Sequence, residues 1–68
     1  MDISARLAAN MKRLRKERGW SQEDLAHEAG LHRTYISQLE RCKKAPTIVS
    51  LEQIVRALGV GFDEMLGE

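Results

Sequence analysis

Cysteine occurs once in this chain, at Cys42, so no internal disulfide can brace it, and the composition suits a reducing compartment. Aromatic side chains are equally scarce: Trp20, Tyr35 and Phe62 are one of each kind. No apolar run approaches the ~18 residues of a membrane-spanning helix, and no basic segment leads into an apolar one near the start. These absences predict a cytoplasmic protein with no membrane contact. Catalytic signatures are missing as well. There is no nucleophile–base pair, no set of paired carboxylates and no phosphate-cradling loop, which argues against an enzyme. The two histidines and the cysteine stand at unrelated spacings, so neither metal nor cofactor is expected. No repeat, low-complexity tract or linker interrupts the 68 residues, and that length predicts one domain spanning 1–68. A core this small is marginal, and assembly is one way such chains gain stability.

What the sequence does have is helical periodicity. Leu7, Met11 and Leu14 fall at i, i+4 and i+7, which predicts a first helix from about residue 3 to 18, closed by Gly19. Ser21 is a good N-cap, Asp24 completes a shortened capping box, and Glu23 favours the positive end of a second helix. Leu25, Ala26 and Ala29 form the apolar side of that helix, and Gly30 stops it. A third helix is expected over about 32–41, with Ile36 and Leu39 inward. Pro46 and Thr47 start a fourth with Ile48, Leu51, Ile54, Val55 and Leu58 apolar, ended by Gly59. Phe62, Met65 and Leu66 mark a short last helix, and Trp20 reads as core. No segment alternates with period two, so the fold class is all-α.

Only about three residues around Gly30 join the second and third helices, so the two must cross steeply. Gly30 can take a left-handed conformation without a Cβ penalty, Ala26 is small where the helices approach, and Leu25, Ala29, Leu31, Ile36 and Leu39 fill the space between them. That is the helix-turn-helix pattern, over about 22–41.

The net charge of +1 hides a division. Residues 1–20 balance at +4, 21–30 at −3, 31–44 at +3 and 45–68 at −3. Separated patches of this kind can still present a positive surface to phosphate. On the third helix, Arg33, Thr34, Ser37, Gln38 and Arg41 share one face that carries no acid, and Lys43 and Lys44 follow directly.

The run WSQEDLAHEAGLHRTYISQLERCKKAPTIVSLEQIVRALGV resembles the phage repressor/Cro (Xre, Cro/C1-type) superfamily. Its Arg-Thr-Tyr start to the third helix is most similar to small restriction–modification controller proteins. The resemblance covers essentially the whole chain and implies a compact five-helix, lambda-repressor-like DNA-binding domain that works as a homodimer on a pseudo-palindromic operator. Double-stranded DNA and a second copy are the partners it implies, and RNA polymerase is a candidate third. The rival function is a protein-interaction module, antitoxin-like or adaptor, built on the same fold.

The resemblance also assigns roles. Arg33, Thr34 and Gln38 read bases, with Ser37 beside them: Arg suits guanine O6/N7, Gln suits adenine, and the small side chains can approach either base or a thymine methyl. Gln22 contacts phosphate with the N-terminus of the second helix. Arg41, Lys43 and Lys44 hold the backbone on the other side, and Tyr35 either reaches a phosphate or covers the helix edge. His32 stands where the family often has a better cap, so it is a weak cap or a phosphate contact. Arg15 pairs with Glu40. Cys42 replaces the usual glycine at the end of the third helix, as tolerated drift or as a redox switch favoured by its basic neighbours. Dimerisation falls to about 47–66, through Val49, Val60, Phe62, Met65 and Leu66.

Overall fold

A computed structural model describes residues 3–67. Five helices follow one another, α1 (Ile3–Glu17), α2 (Gln22–Ala29), α3 (Arg33–Glu40), α4 (Ile48–Leu58) and α5 (Phe62–Leu66), with no strand among the described residues. The elements match the sequence-based expectation to within a residue or two. α1 stops at Glu17, and α3 is bounded by His32 and Arg41 as its caps.

α2 packs against α3 and α4, while α1 packs against α3 and α5. Leu7, Met11 and Leu14 of α1 meet Leu25, Ile36, Leu39, Ile54, Leu58 and Met65 in one cluster. Met11, Leu25, Ile36, Ile54 and Met65 are wholly enclosed, each contributing about 1.5–3 kcal/mol relative to exposure. Trp20 is half-buried against the edge of this core. Ile48 departs from the expected apolar face of α4: it occupies the first turn, where no other element covers it, and is 83% exposed.

The helix starts are closed by side chains. Ser21 Oγ accepts from Asp24 N at 3.0 Å, and Ser21 N donates to Asp24 Oδ2 at 2.9 Å. The backbone and hydroxyl bonds from Ser21 hold the Asp24 carboxyl below its ordinary value. A depressed carboxylate stabilises the fold at neutral pH, and that contribution fades as the pH falls through the carboxylate range. Thr47 and Ser50 make the same reciprocal box at the start of α4. The end of α5 is held differently: Asn10 Nδ2 donates to the carbonyls of Met65 and Gly67, both at 2.7 Å, and so satisfies end groups the short helix cannot.

Four helix ends share one C-terminal geometry, a backbone N–H reaching back five residues. Trp20 N to Arg15 O, Leu31 N to Ala26 O, Lys43 N to Gln38 O and Val60 N to Val55 O span 2.8–3.1 Å. Three of the four use a glycine near φ 70°; the one after α3 uses Cys42, at φ 59°. A side chain in that conformation costs about 1–2 kcal/mol, and Cys42 is exposed, so burial of its thiol does not offset the strain. Cys42→Gly is therefore expected to raise stability by about 1 kcal/mol. Urea unfolding of the two proteins checks this, and an unchanged or lower midpoint would remove the strain argument.

Candidate nucleic-acid interface

The turn between α2 and α3 sets how α3 is presented. Gly30 adopts φ 71°, its N–H faces the carbonyls of Ala26 and His27, and Leu31 N reaches Ala26 O at 2.8 Å. A Cβ at Gly30 would meet only Gln53 Nε2 at 3.7 Å, an ordinary contact. The backbone angle, not lack of room, is what calls for glycine there. Ala26 is 2% exposed, consistent with close helix approach.

With Ile36 and Leu39 turned into the core, the opposite face of α3 is left outward. Arg33, Thr34 and Arg41 are exposed, and Ser37 and Gln38 are half-exposed. The five side chains marked out by the sequence thus share one open face with no carboxylate among them.

Glu40 is the acid of α3, and it points inward. Arg15 Nε donates to Glu40 Oε2 at 2.8 Å and Arg15 Nη2 to Glu40 Oε1 at 3.0 Å, a bidentate pair whose side chains are 9% and 1% exposed. Arg15 Nη1 also donates to Trp20 O at 2.8 Å, and Gln22 Nε2 donates to Glu40 Oε1 at 3.1 Å. One network therefore ties α1, the 18–21 turn, the start of α2 and the end of α3. Gln22, expected to touch phosphate through its side chain, instead has an amide hydrogen committed to Glu40. Its second hydrogen and the backbone N–H groups of Gln22 and Glu23 remain for an anion, that of Asp24 being taken by Ser21 Oγ.

Tyr35 is also committed. Its hydroxyl lies 2.8 Å from Ser50 Oγ, within the capping box of α4, so it joins α3 to α4 and does not stand free toward solvent. Lys44 Nζ sits 5.8 Å from the centre of the Tyr35 ring, which holds that ammonium beside α3. Leu31, His32, Thr34, Tyr35, Gln38 and Lys44 line a shallow depression on this side. His32 is exposed and makes no side-chain cap bond, while Lys43 is exposed in the loop that follows. The sequence reading missed Ser50, although its signal was present in Thr47-x-x-Ser50 ahead of an apolar run.

The expected dimer residues separate into three groups. Val49 is 68% exposed and Phe62 44%, whereas Val60 and Leu66 are partly buried against the chain's own core. Met65 is a correction. It is 0% exposed, enclosed within the core where α5 packs on α1, and no surface of it is left for another copy. Ile48 joins Val49 and Phe62 as exposed apolar surface.

Comparison with known proteins bears on what this face does. The helix-turn-helix family matches residues 11–65. The chain belongs to the helix-turn-helix family. It is 43% identical over 65 residues to a hypothetical transcription factor of Neisseria meningitidis, covering 96% of this chain and 61% of that protein. It is 39% identical over 66 residues to control protein C.SmaI of Serratia marcescens, covering 97% of this chain and 79% of that one. The crystal structure of the restriction–modification controller protein C.Esp1396I superposes with a TM-score of 0.88 at 42% identity, covering 97% of this chain and 88% of that chain. The five-helix fold and the likeness to controller proteins therefore agree with the sequence, and α2, the turn and α3 all lie within the matched residues.

Proposed function

We propose that this chain is a sequence-specific, double-stranded-DNA-binding transcriptional regulator that acts in the cytoplasm as a homodimer on a pseudo-palindromic operator. Control of a restriction–modification system is the finer reading, supported by the likeness to C.SmaI and C.Esp1396I. One observation carries it: the acid-free outward face of α3, held at fixed orientation by the buried Arg15–Glu40 pair. In this reading Arg33, Thr34, Ser37 and Gln38 face base edges. Lys43, Lys44, Arg41 and the start of α2 hold phosphates. Ile48, Val49 and Phe62 face the second copy. A direct touch on RNA polymerase is the further step by which the regulator would activate and not merely occlude a promoter.

Reading and holding separate experimentally on an operator selected from a random-sequence pool. Arg33→Ala is expected to cost about 1–3 kcal/mol on the selected duplex and little on a scrambled one. Lys43→Ala is expected to weaken both about equally and to flatten the salt dependence by roughly one unit. Equal losses for Arg33→Ala on the two duplexes would make Arg33 a backbone contact. No effect of either variant at any salt would favour the protein-interaction function.

The dimer is tested by sedimentation at micromolar concentration. Wild type is expected to sediment as a dimer, one that fits an operator with half-sites about 34–36 Å apart. Val49→Asp, on an exposed position, is expected to shift it to monomer and weaken operator binding without loss of helix content. A wild type that stays monomeric with and without operator DNA contradicts this assignment.

A further inference from the structure

Arg41 and Lys43 are not the last cations on their side of the molecule. A second groove runs between α1 and the end of α3, lined by Ala5, Ala9, Lys12, Lys16, Glu40 and Cys42. Lys12 and Lys16 are one turn apart on the same face of α1, both exposed, and among the described residues neither is in an ion pair. Their neighbour Arg13 is committed to Glu17 at 3.0 Å. The acid in the groove wall offers no free charge, because both Glu40 oxygens are taken by Arg15 and Oε1 by Gln22 as well. Cys42 lies at the other end, with Sγ 3.7 Å from Ser4 O, flanked in sequence by exposed Arg41 and Lys43.

The groove thus has an alanine floor bordered on the α1 side by Lys12 and Lys16, and it shares a wall with the Glu40 network that anchors the beginning of α2. Like charges at i and i+4 repel on an isolated helix, and that repulsion is relieved when an anion lies across both. The groove is open, holds no converging set of buried donors, and spaces its lysines about 5–6 Å apart at Cβ. A repeating polyanion fits such a strip better than a single enclosed anion does.

We propose that Lys12 and Lys16 contact DNA phosphates, extending the backbone grip of Arg41 and Lys43 along α1. This rests on the DNA-binding reading above and adds a contact surface on an element outside the helix-turn-helix. The strip carries no base-reading group, so it adds affinity and salt dependence without sequence preference.

The test needs no operator. Binding of a mixed-sequence duplex of about 30 base pairs is measured across a salt series for wild type, Lys12→Gln, Lys16→Gln, the double variant and Lys43→Ala. Each release of a phosphate contact changes the slope of log K against log salt by about 0.9. The double variant should therefore be shallower than wild type by about 1.8 units. Arg56→Gln, which removes an exposed cation beside Glu28 on the α2–α4 side, controls for net charge and should leave the slope unchanged. All the replaced side chains are exposed, and an unchanged melting temperature checks the fold. A double variant with the wild-type slope overturns the strip while leaving the DNA reading intact, provided Lys43→Ala still flattens it. A slope lowered as much by Arg56→Gln also overturns it, as a general charge effect. A wild type that binds no duplex at low salt overturns both.

Discussion

The buried pair between Arg15 and Glu40 is the constraint on which the presentation of α3 depends. Two charges removed from water are costly to bury, and the cost is offset only when geometry is good and the remaining hydrogen-bonding capacity is filled. Here the pair is bidentate, the third guanidinium nitrogen is taken by Trp20 O, and Gln22 donates to the carboxylate. A well-packed apolar pair could stabilise the core as much. What apolar packing would not supply is direction: the fork of Arg15 accepts one orientation of Glu40, and through it one rotation of α3 about its axis.

Around that anchor the remaining devices are local and mutually consistent. The left-handed turn at Gly30 fixes the crossing of α2 and α3, the Ser21–Asp24 box fixes where α2 begins, and Tyr35 reaches Ser50 to tie the far side of α3 to the first turn of α4. α3 is thereby held from α1, α2 and α4 while its outward face touches none of them. On the DNA-binding proposal that face has to be rigid and open together, and the polar contacts gathered at the rim of so small a core supply both.

Most of the helix boundaries were legible because apolar spacing and end residues agree: Gly19, Gly30 and Gly59 fall where the periods of Leu7–Leu14, Leu25–Ala29 and Leu51–Leu58 stop. The left-handed turn at Cys42 was legible only through the family resemblance, as was the Arg15–Glu40 pair, since nothing in the spacing of two residues 25 apart announces a contact. Met65 was misplaced for a different reason. A five-residue helix has three apolar positions and no second turn to fix its phase, so only its docking against α1 shows that Met65 turns in while Phe62 stays out. Ile48 fits the phase of α4 yet lies beyond the reach of the core, a fact of tertiary extent that periodicity does not carry. The outward stripe of α3 was readable because it combines a period with the absence of acid; the cap role of Ser50 was readable in Thr47-x-x-Ser50, but its bond to Tyr35 was not, because that partner lies on another helix.

A double-mutant cycle on Arg15→Met and Glu40→Leu, read by urea unfolding, tests the anchor most directly. Each single replacement strands a buried charge and is predicted to cost about 3–5 kcal/mol, enough to unfold much of so small a chain. The double variant is predicted to be far more stable than the sum of the two losses allows, refolding even where a single variant does not. Singles that each lose less than about 1 kcal/mol, with losses that simply add in the double, would mean the pair behaves as an exposed one and that α3 is oriented by something else.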